Sequence, residues 1–220
     1  MIIAGNWKMF FGPEPNQLAE LDAIVAPSYT RLVDCVEAGL TTYAQNVHWE
    51  PQGAYTGEIS APMLLALGVR GSIVGHSERR QYFGETDETV GLRTRAALDA
   101  GLHVIACIGE TREEREGGHM ESVLRRQLSV LEAHPNLVIA YEPVWAIGTG
   151  LTATPEICRD THGFIKTIID APVLYGGSVN PGNAEALLSQ PCVDGALVGG
   201  ASLDVESFTA ICQIAARIHS

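Results

Sequence analysis

The chain has 220 residues, 46% of them hydrophobic and 18% charged, and its 14 basic and 26 acidic side chains give a formal net charge of −12. This composition excludes a disordered chain, and the length allows one large domain or two small ones with a sizeable core. The chain lacks the Lys and Arg clusters that bind a phosphate backbone, so we expect no nucleic-acid partner. An anionic metabolite remains compatible with this charge, because a pocket can be locally positive on an acidic protein.

The cysteines and the first residues indicate a compartment. The five cysteines are scattered and form no Cys-x-x-Cys pair, which argues against a disulfide framework or a zinc site and favours a reducing compartment. The N-terminal residues lack the basic segment and cleavage site of a signal peptide, and no apolar run approaches the roughly 20 residues that span a bilayer. We therefore expect a cytoplasmic protein that does not enter a membrane.

Short apolar runs, separated by gaps long enough for a crossover helix, predict parallel strands. The runs are continuous rather than alternating, which is typical of strands that are buried on both faces. In chain order the predicted strands are Ile2–Ala4, Ala23–Ala26, Thr42–Gln45, Ser72–Val74, His103–Cys107, Leu137–Tyr141, Val173–Tyr175 and Gly195–Val198.

The gaps between the strands carry helical patterns of unequal strength. The first gap contains Pro13 and Pro15 and leaves room for about two turns of helix. Asp87 is predicted to cap a later helix that ends at Gly101. Two further helices are predicted from the apolar stripes Met120, Val123, Leu124, Leu128, Leu131 and Val205, Phe208, Ile211, Cys212, Ala215, Ile218. The pattern indicates an α/β fold and leaves a closed (β/α)₈ barrel and an open doubly wound sheet as alternatives.

Polar and glycine residues concentrate at the predicted strand ends. Taken singly they have ordinary explanations, such as a solvated lysine, a core histidine, a surface carboxylate or a tight turn. In a barrel they would converge on one face, where glycine loops after the last strands bind phosphate. The residues concerned are Asn6, Lys8, His76, Ser77, Glu78, Glu142, Gly148–Gly150, Gly176–Ser178 and Gly199–Gly200.

Five motifs at these strand ends closely resemble the triosephosphate isomerase family, in the family's order and over the whole chain. The resemblance implies a single (β/α)₈ TIM barrel over residues 1–220 that interconverts dihydroxyacetone phosphate and D-glyceraldehyde 3-phosphate in glycolysis and gluconeogenesis, without cofactor or metal. The chain is shorter than the family's usual length, and much of the loss lies between Lys8 and Ala26, so we expect a shortened first helix. The matching motifs are Gly5–Met9, Gly75–Arg80, Tyr141–Gly150, Tyr175–Val179 and Val198–Leu203.

The resemblance also implies roles for individual residues. Glu142 is expected to be the base that moves a proton between C1 and C2, and His76 the electrophile that polarises the carbonyl. Lys8 is expected to supply positive charge, with Asn6 orienting the substrate and Lys8. The residues expected to bind the substrate and its phosphate are Asn6, Lys8, Gly148, Ser178, Gly199 and Gly200. Glu78 either tunes the site or is an ion-pair partner of Lys8 or Arg79, and Cys107 is expected to pack behind the base rather than to react.

The resemblance extends to a lid and to self-association. The stretch 143–154 resembles the family's closing lid, with Trp145 at its first hinge and Leu151 where the family often has lysine. The loop 52–58 resembles the one that reaches a neighbouring subunit, so we expect a homodimer, with a tetramer as the alternative, in which Thr56 lies near Asn6–Lys8 of a second copy.

Three other functions fit the sequence less well. A different phosphate-handling barrel enzyme would share the glycine loops but not the set Asn6, Lys8, His76 and Glu142. A scaffold protein would be expected to have lost part of that set. A dinucleotide-binding oxidoreductase needs Gly-x-Gly-x-x-Gly after the first strand, where this chain has Asn-Trp-Lys.

Overall fold

A computed structural model of the chain describes residues 1–147 and 153–218. Its strands form a closed parallel barrel in which each strand pairs with its neighbour in sequence and the first pairs with the last. The strands are β1 (Ile2–Asn6), β2 (Ile24–Ala26), β3 (Thr41–Ala44), β4 (Gly71–Val74), β5 (His103–Ile108), β6 (Leu137–Tyr141), β7 (Val173–Tyr175) and β8 (Gly195–Val198). Closure by the pair Ile2 and Gly195 confirms the barrel and rules out the open sheet.

Helices surround the barrel. The α-helices are α1 (Leu32–Glu37), α2 (Ala61–Ala66), α3 (Ser77–Phe83), α4 (Asp87–Asp99), α5 (Arg112–Glu116), α6 (Met120–Leu128), α7 (Pro155–Lys166), α8 (Ala184–Leu188) and α9 (Val205–Ile218). Short 3₁₀-helices occur at Pro15–Leu18, Tyr29–Arg31, Val144–Ala146 and Gly200–Leu203. In the part of the chain that the structure describes, no helix is both long and apolar enough to cross a membrane.

The first crossover is abbreviated, as predicted. Within residues 7–23, all of which are described, the connection from β1 to β2 contains the four-residue 3₁₀-helix Pro15–Leu18 in place of an α-helix. Proline at its start lacks the N–H that would continue a helix backwards. Pro15 and Leu18 are nevertheless buried, so this short turn still covers part of the barrel.

The apolar core has two layers. One fills the barrel interior, and the other lies between the outer faces of the strands and the helices. Successive side chains of a strand point to opposite faces of the sheet, so some point into the barrel and others towards the helices. The interior layer consists of Ala4, Ala26, Tyr43, Ile73, Ile105, Cys107, Ala140, Leu174 and Leu197.

The capping of α4 differs from the prediction. Thr86, not Asp87, is the N-cap, and its hydroxyl accepts from the N–H of Thr89 while the Thr89 hydroxyl accepts from the N–H of Thr86. Asp87 was predicted to be the cap but is the first helical residue. Its carboxylate instead accepts hydrogen bonds from Arg80 at 2.6 Å and Arg126 at 3.0 Å. Because its carboxylate bonds these two arginines, Asp87 does not cap the helix, and the preceding Thr86 does.

Candidate active site

Glu142 directly follows β6 and its side chain is only 2% exposed. Its N–H donates to the carbonyl of Ile108 at 2.7 Å, which extends the pairing of β6 with β5. Two glycines leave the room it needs: a Cβ at Gly109 would lie 1.7 Å from the Glu142 carbonyl oxygen, and one at Gly176 would lie 2.8 Å from its Cγ. The carboxylate is thus held at the barrel rim by neighbouring strands.

The carboxylate of Glu142 meets residues that follow β4. The N–H of Ser77 donates to Oε2 at 2.7 Å, and Nε2 of His76 lies 3.0 Å from Oε1. On the other side of the ring, Nδ1 of His76 accepts from the N–H of Glu78 at 3.2 Å, which makes His76 the N-cap of α3. An accepting Nδ1 carries a lone pair, so this geometry fits a neutral imidazole whose proton is on Nε2, the ring nitrogen that lies near Glu142.

The two groups shift each other's pKa values. Burial raises the pKa of Glu142, but His76 and the Ser77 amide stabilise the carboxylate and make the net shift downward. Burial lowers the pKa of His76, whereas the Glu142 carboxylate raises it, and the net shift is upward. Protonation of Nδ1 would nevertheless break the bond from the Glu78 amide, so the neutral ring is the form that matches the observed hydrogen bond. The result is an ionised carboxylate beside an imidazole N–H.

Lys8 joins this group through Glu78. Its Nζ lies 2.7 Å from Oε1 of Glu78. Glu78 therefore forms an ion pair with Lys8, which was one of the two roles predicted for it. The backbone of Lys8 has φ of 51°, a conformation that residues other than glycine rarely adopt. Asn6 accepts from the Lys8 N–H at 2.9 Å, and the side-chain amide of Gln45 donates to the Lys8 carbonyl at 2.8 Å. Both contacts hold the strained backbone in place.

The glycine loops after β7 and β8 lie at the same end of the barrel. A Cβ at Gly199 would be 3.4 Å from Cε of Lys8, so this glycine lets the loop approach the lysine. A Cβ at Gly200 would meet no atom within 4 Å, and this residue starts a 3₁₀-helix. The Ser178 carbonyl accepts from Asn183 at 3.1 Å, which shapes the turn after β7. Two other residues singled out in the sequence, Gly148 and Leu151, lie outside the described residues.

Glu110, which sequence analysis missed, anchors the beginning of the expected lid. It is fully buried, and its Oε1 accepts from Tyr141 at 2.9 Å, Trp145 at 3.0 Å and Arg115 at 2.8 Å. Its position one residue after Gly109, at the end of β5, is the same strand-end signal that identified Glu142. No motif of the resemblance contains Glu110, so only its position at a strand end marks it in the sequence.

Cys107 packs behind the carboxylate. Its side chain is completely buried in the interior layer of the barrel. Burial raises the pKa of its thiol well above the ordinary value, and the nearby Glu142 raises it further. A thiol held in its neutral form is a poor nucleophile, in line with the predicted packing role.

A cavity of about 1050 Å³ opens beside Glu142, between the residues that follow β4 and those that follow β5. Its lining includes Arg80, Gln127 and Trp145. Among residues 1–147 and 153–218, no group of three or more His, Cys, Asp or Glu side chains is arranged to hold a metal ion. Glu142, His76 and Lys8 together offer a base, an N–H donor and a positive charge, a set that suits proton transfer beside a developing negative charge.

Comparison with known proteins identifies relatives of this chain. Residues 1–215 match the family model described as triosephosphate isomerase. The chain is similar to the triosephosphate isomerase of Solibacter usitatus, with 48% identity over 96% of this chain and 97% of that protein. It is also similar to the triosephosphate isomerase of Azoarcus sp., with 48% identity over 97% of this chain and 98% of that protein, and to that of Trichormus variabilis, with 46% identity over 96% and 97%.

Proposed function

The chain belongs to the triosephosphate isomerase family, and from this premise we propose that it interconverts dihydroxyacetone phosphate and D-glyceraldehyde 3-phosphate. The observation that carries the proposal is the buried Glu142 carboxylate, 3.0 Å from Nε2 of His76, with Lys8 linked to the same group through Glu78. Proton abstraction next to a carbonyl requires a base of this kind and a donor for the charge that develops on oxygen.

We propose that Glu142 takes the proton from C1 of the ketose and that the C–H electron pair forms the C1–C2 double bond. The carbonyl oxygen at C2 then gains negative charge, which the Nε2–H of His76 and the Lys8 ammonium stabilise. Glu142 returns the proton to C2, while His76 moves a proton between the two oxygens. When Glu142 turns from the Ser77 amide to the substrate, it loses a hydrogen bond that lowers its pKa, so its basicity increases.

The phosphate group needs donors and positive charge at the same end of the barrel. We propose that Lys8 and Asn6, together with the loops of Ser178, Gly199 and Gly200, bind it, and that Gly148, which lies outside the described residues, completes the site. Glycines allow backbone N–H groups to approach an anion closely. The proposal needs no metal or cofactor.

A coupled isomerase assay tests the proposal. Glu142→Asp retracts the carboxylate by one methylene, and we expect kcat to fall by about a hundredfold or more while KM changes little, because the distance to the proton decides the rate. Glu37→Asp, at the exposed end of α1, is the matched control and should behave as wild type. Wild-type activity should persist in a chelator; its loss there, or a Glu142→Asp variant as active as wild type, would overturn the mechanism.

We also propose that the protein acts as a homodimer. Large apolar side chains are exposed in the segments after β1 and β3 and at the end of α3, and a monomer rarely exposes so many together. They include Met9 at 94%, Phe11 at 77%, Tyr55 at 44% and Phe83 at 67% exposure. Thr56→Arg should separate the subunits and lower activity in a concentration-dependent manner, measured by sedimentation and assay. A fully active wild-type monomer at micromolar concentration would contradict this proposal.

We further propose that a single barrel domain over residues 1–220 performs this reaction in the cytoplasm, in glycolysis and gluconeogenesis. The match to the family over residues 1–215 supports one domain. All five cysteines are free and none is exposed, which fits a reducing compartment. Fractionation of the source cells, with the isomerase assay as readout, tests the compartment.

A further inference from the structure

Gln127 makes an unusual pair of contacts near the end of α6. Its side chain is 5% exposed, and both polar atoms of its amide bond the backbone of a single residue, Gly109. Oε1 accepts from the Gly109 N–H at 2.7 Å, and Nε2 donates to the Gly109 carbonyl at 3.0 Å. A buried side-chain amide satisfied in this way mimics the peptide group of a neighbouring strand.

The barrel explains why Gly109 needs such a partner. The pairing of β4 with β5 ends at Val74 and Ala106, but the extended backbone continues past β5. On the side of β6, the N–H groups of Glu142 and Val144 donate to the carbonyls of Ile108 and Glu110. Gly109 lies between these two and faces the opposite side, where β4 has already ended. Without Gln127, its two polar groups would lose the partners that a strand normally supplies.

The backbone that Gln127 holds is the one against which Glu142 packs. A Cβ at Gly109 would lie 1.7 Å from the Glu142 carbonyl oxygen, so the two backbones are in direct contact. The next residue, Glu110, accepts from Trp145 at 3.0 Å at the beginning of the expected lid. A shift of Gly109 would therefore displace both the base and the anchor of the lid.

We propose that Gln127 is a positioning residue for the isomerase reaction: its amide fixes Gly109, and through Gly109 it sets the place of Glu142 and of the Glu110–Trp145 contact. This inference rests on the proposed function. Both polar atoms of the Gln127 amide bond Gly109, so it would act through this backbone. Its removal should impair the chemical step more than the binding of substrate, because sub-ångström placement of a base affects kcat.

The test compares Gln127→Met, which keeps the length of the side chain and loses both hydrogen bonds, with Leu124→Val on the same helix. Leu124 is fully buried and carries no hydrogen-bonding group, so its variant reports a general loss of packing. We expect kcat of Gln127→Met to fall at least about tenfold with KM within about threefold of wild type. Leu124→Val should keep both constants near wild type, although it lowers the thermal midpoint.

A spectroscopic readout separates this inference from the proposed function. In ¹⁵N-labelled protein, the indole N–H resonance of Trp145, assigned with Trp145→Phe, should shift or broaden in Gln127→Met and stay in place in Leu124→Val. If wild type lacks isomerase activity, the proposed function fails while the resonance still tests the positioning. Should Gln127→Met not fold, Gln127→Glu, which retains an acceptor for the Gly109 N–H, takes its place. A folded variant with kcat within twofold of wild type and an unmoved resonance would overturn the inference.

Discussion

The two sides of the candidate site are built differently. Glu142 is 2% exposed and is held by the backbone after β5 and by the Ser77 amide. The Lys8 side chain is 24% exposed, its backbone has a positive φ, and the next residue, Met9, is 94% exposed. One side is supported from within the barrel, whereas the other projects from it.

This difference matches the tasks that we propose for the two residues. A carboxylate base gains from a dry and fixed position, because water would solvate it and movement would lengthen the distance to the proton. A lysine that meets an anion arriving from solvent must be accessible. The exposed residues after Lys8 are also those we expect a second copy to cover, so we expect the lysine side to depend on association and the carboxylate side not to.

Among the variants that test this difference, a replacement of Lys8 should have the largest effect on activity. Lys8→Met removes the positive charge while the barrel and the Glu142 contacts remain, so we expect kcat/KM to fall by about a hundredfold to a thousandfold. Binding of an unreactive triose phosphate analogue, measured by calorimetry, should weaken as well. Lys166→Met is the matched control, since Lys166, the last residue of α7, pairs with Asp194 just before β8, away from the site. Near-normal analogue binding by Lys8→Met would mean that this lysine is merely a solvated charge.

His162 provides a second test, on the carboxylate side of the site. It is fully buried beside Tyr141, the residue that precedes Glu142. Burial lowers its pKa to about 4, below its ordinary value of 6.5. The unfolded state therefore takes up the proton first as the pH falls. The contribution of the neutral His162 to the free energy of unfolding is complete above about pH 6.5. It is lost as the pH falls towards 4, and the loss is at most about 3 kcal/mol.

Urea unfolding at several pH values measures this contribution. Wild type should lose more stability than His162→Phe between pH 6.5 and 4.5, and the difference between the two proteins removes the titration of groups they share. If the free energy of unfolding changed equally with pH in both proteins, a neutral buried histidine would be contradicted.

Gln45 sharpens the comparison on the lysine side and has the smallest expected effect. Its amide donates to the carbonyls of Lys8 at 2.8 Å and Ala26 at 2.9 Å. Gln45→Leu should relax the strained Lys8 backbone and raise KM for the triose phosphate by about fivefold to tenfold, because a net hydrogen bond contributes about 1 kcal/mol. Steady-state kinetics give the value. A change confined to kcat would place Gln45 with the base instead.

The barrel could be predicted from the sequence because its signals are local. Most strands are short runs dominated by apolar residues, and the positions of Pro13 and Pro15 predicted the weak first crossover. The strand ends also identified Asn6, Lys8, His76 and Glu142, which the fold brings to one end. The predicted N-cap of α4 was wrong because Asp87 has ionic partners on α3 and α6. Such partners cannot be predicted from the residues next to Asp87 in the sequence.

The residues that hold the site were not predictable in the same way. Gln45 and Gln127 act through contacts with residues far away in sequence, Lys8 and Gly109 respectively, whereas Glu110 does carry the strand-end signal. A glutamine that bonds a backbone amide leaves no periodicity and no motif. Only the arrangement of neighbouring strands, including the place where one strand ends before the next, shows why an amide is required there.

The pairing of β1 with β8 has a consequence for the order of events during synthesis. Asn6 and Lys8 leave the ribosome early, yet the Gly199 loop beside Lys8 and the Ser202 hydroxyl that bonds the Asn6 carbonyl at 3.4 Å emerge near the end. The early strand must therefore wait, unpaired on one edge, until translation delivers the last strand. The nascent chain can form the surroundings of Glu142 before it can complete those of Lys8, and it acquires a whole site only when the ring closes.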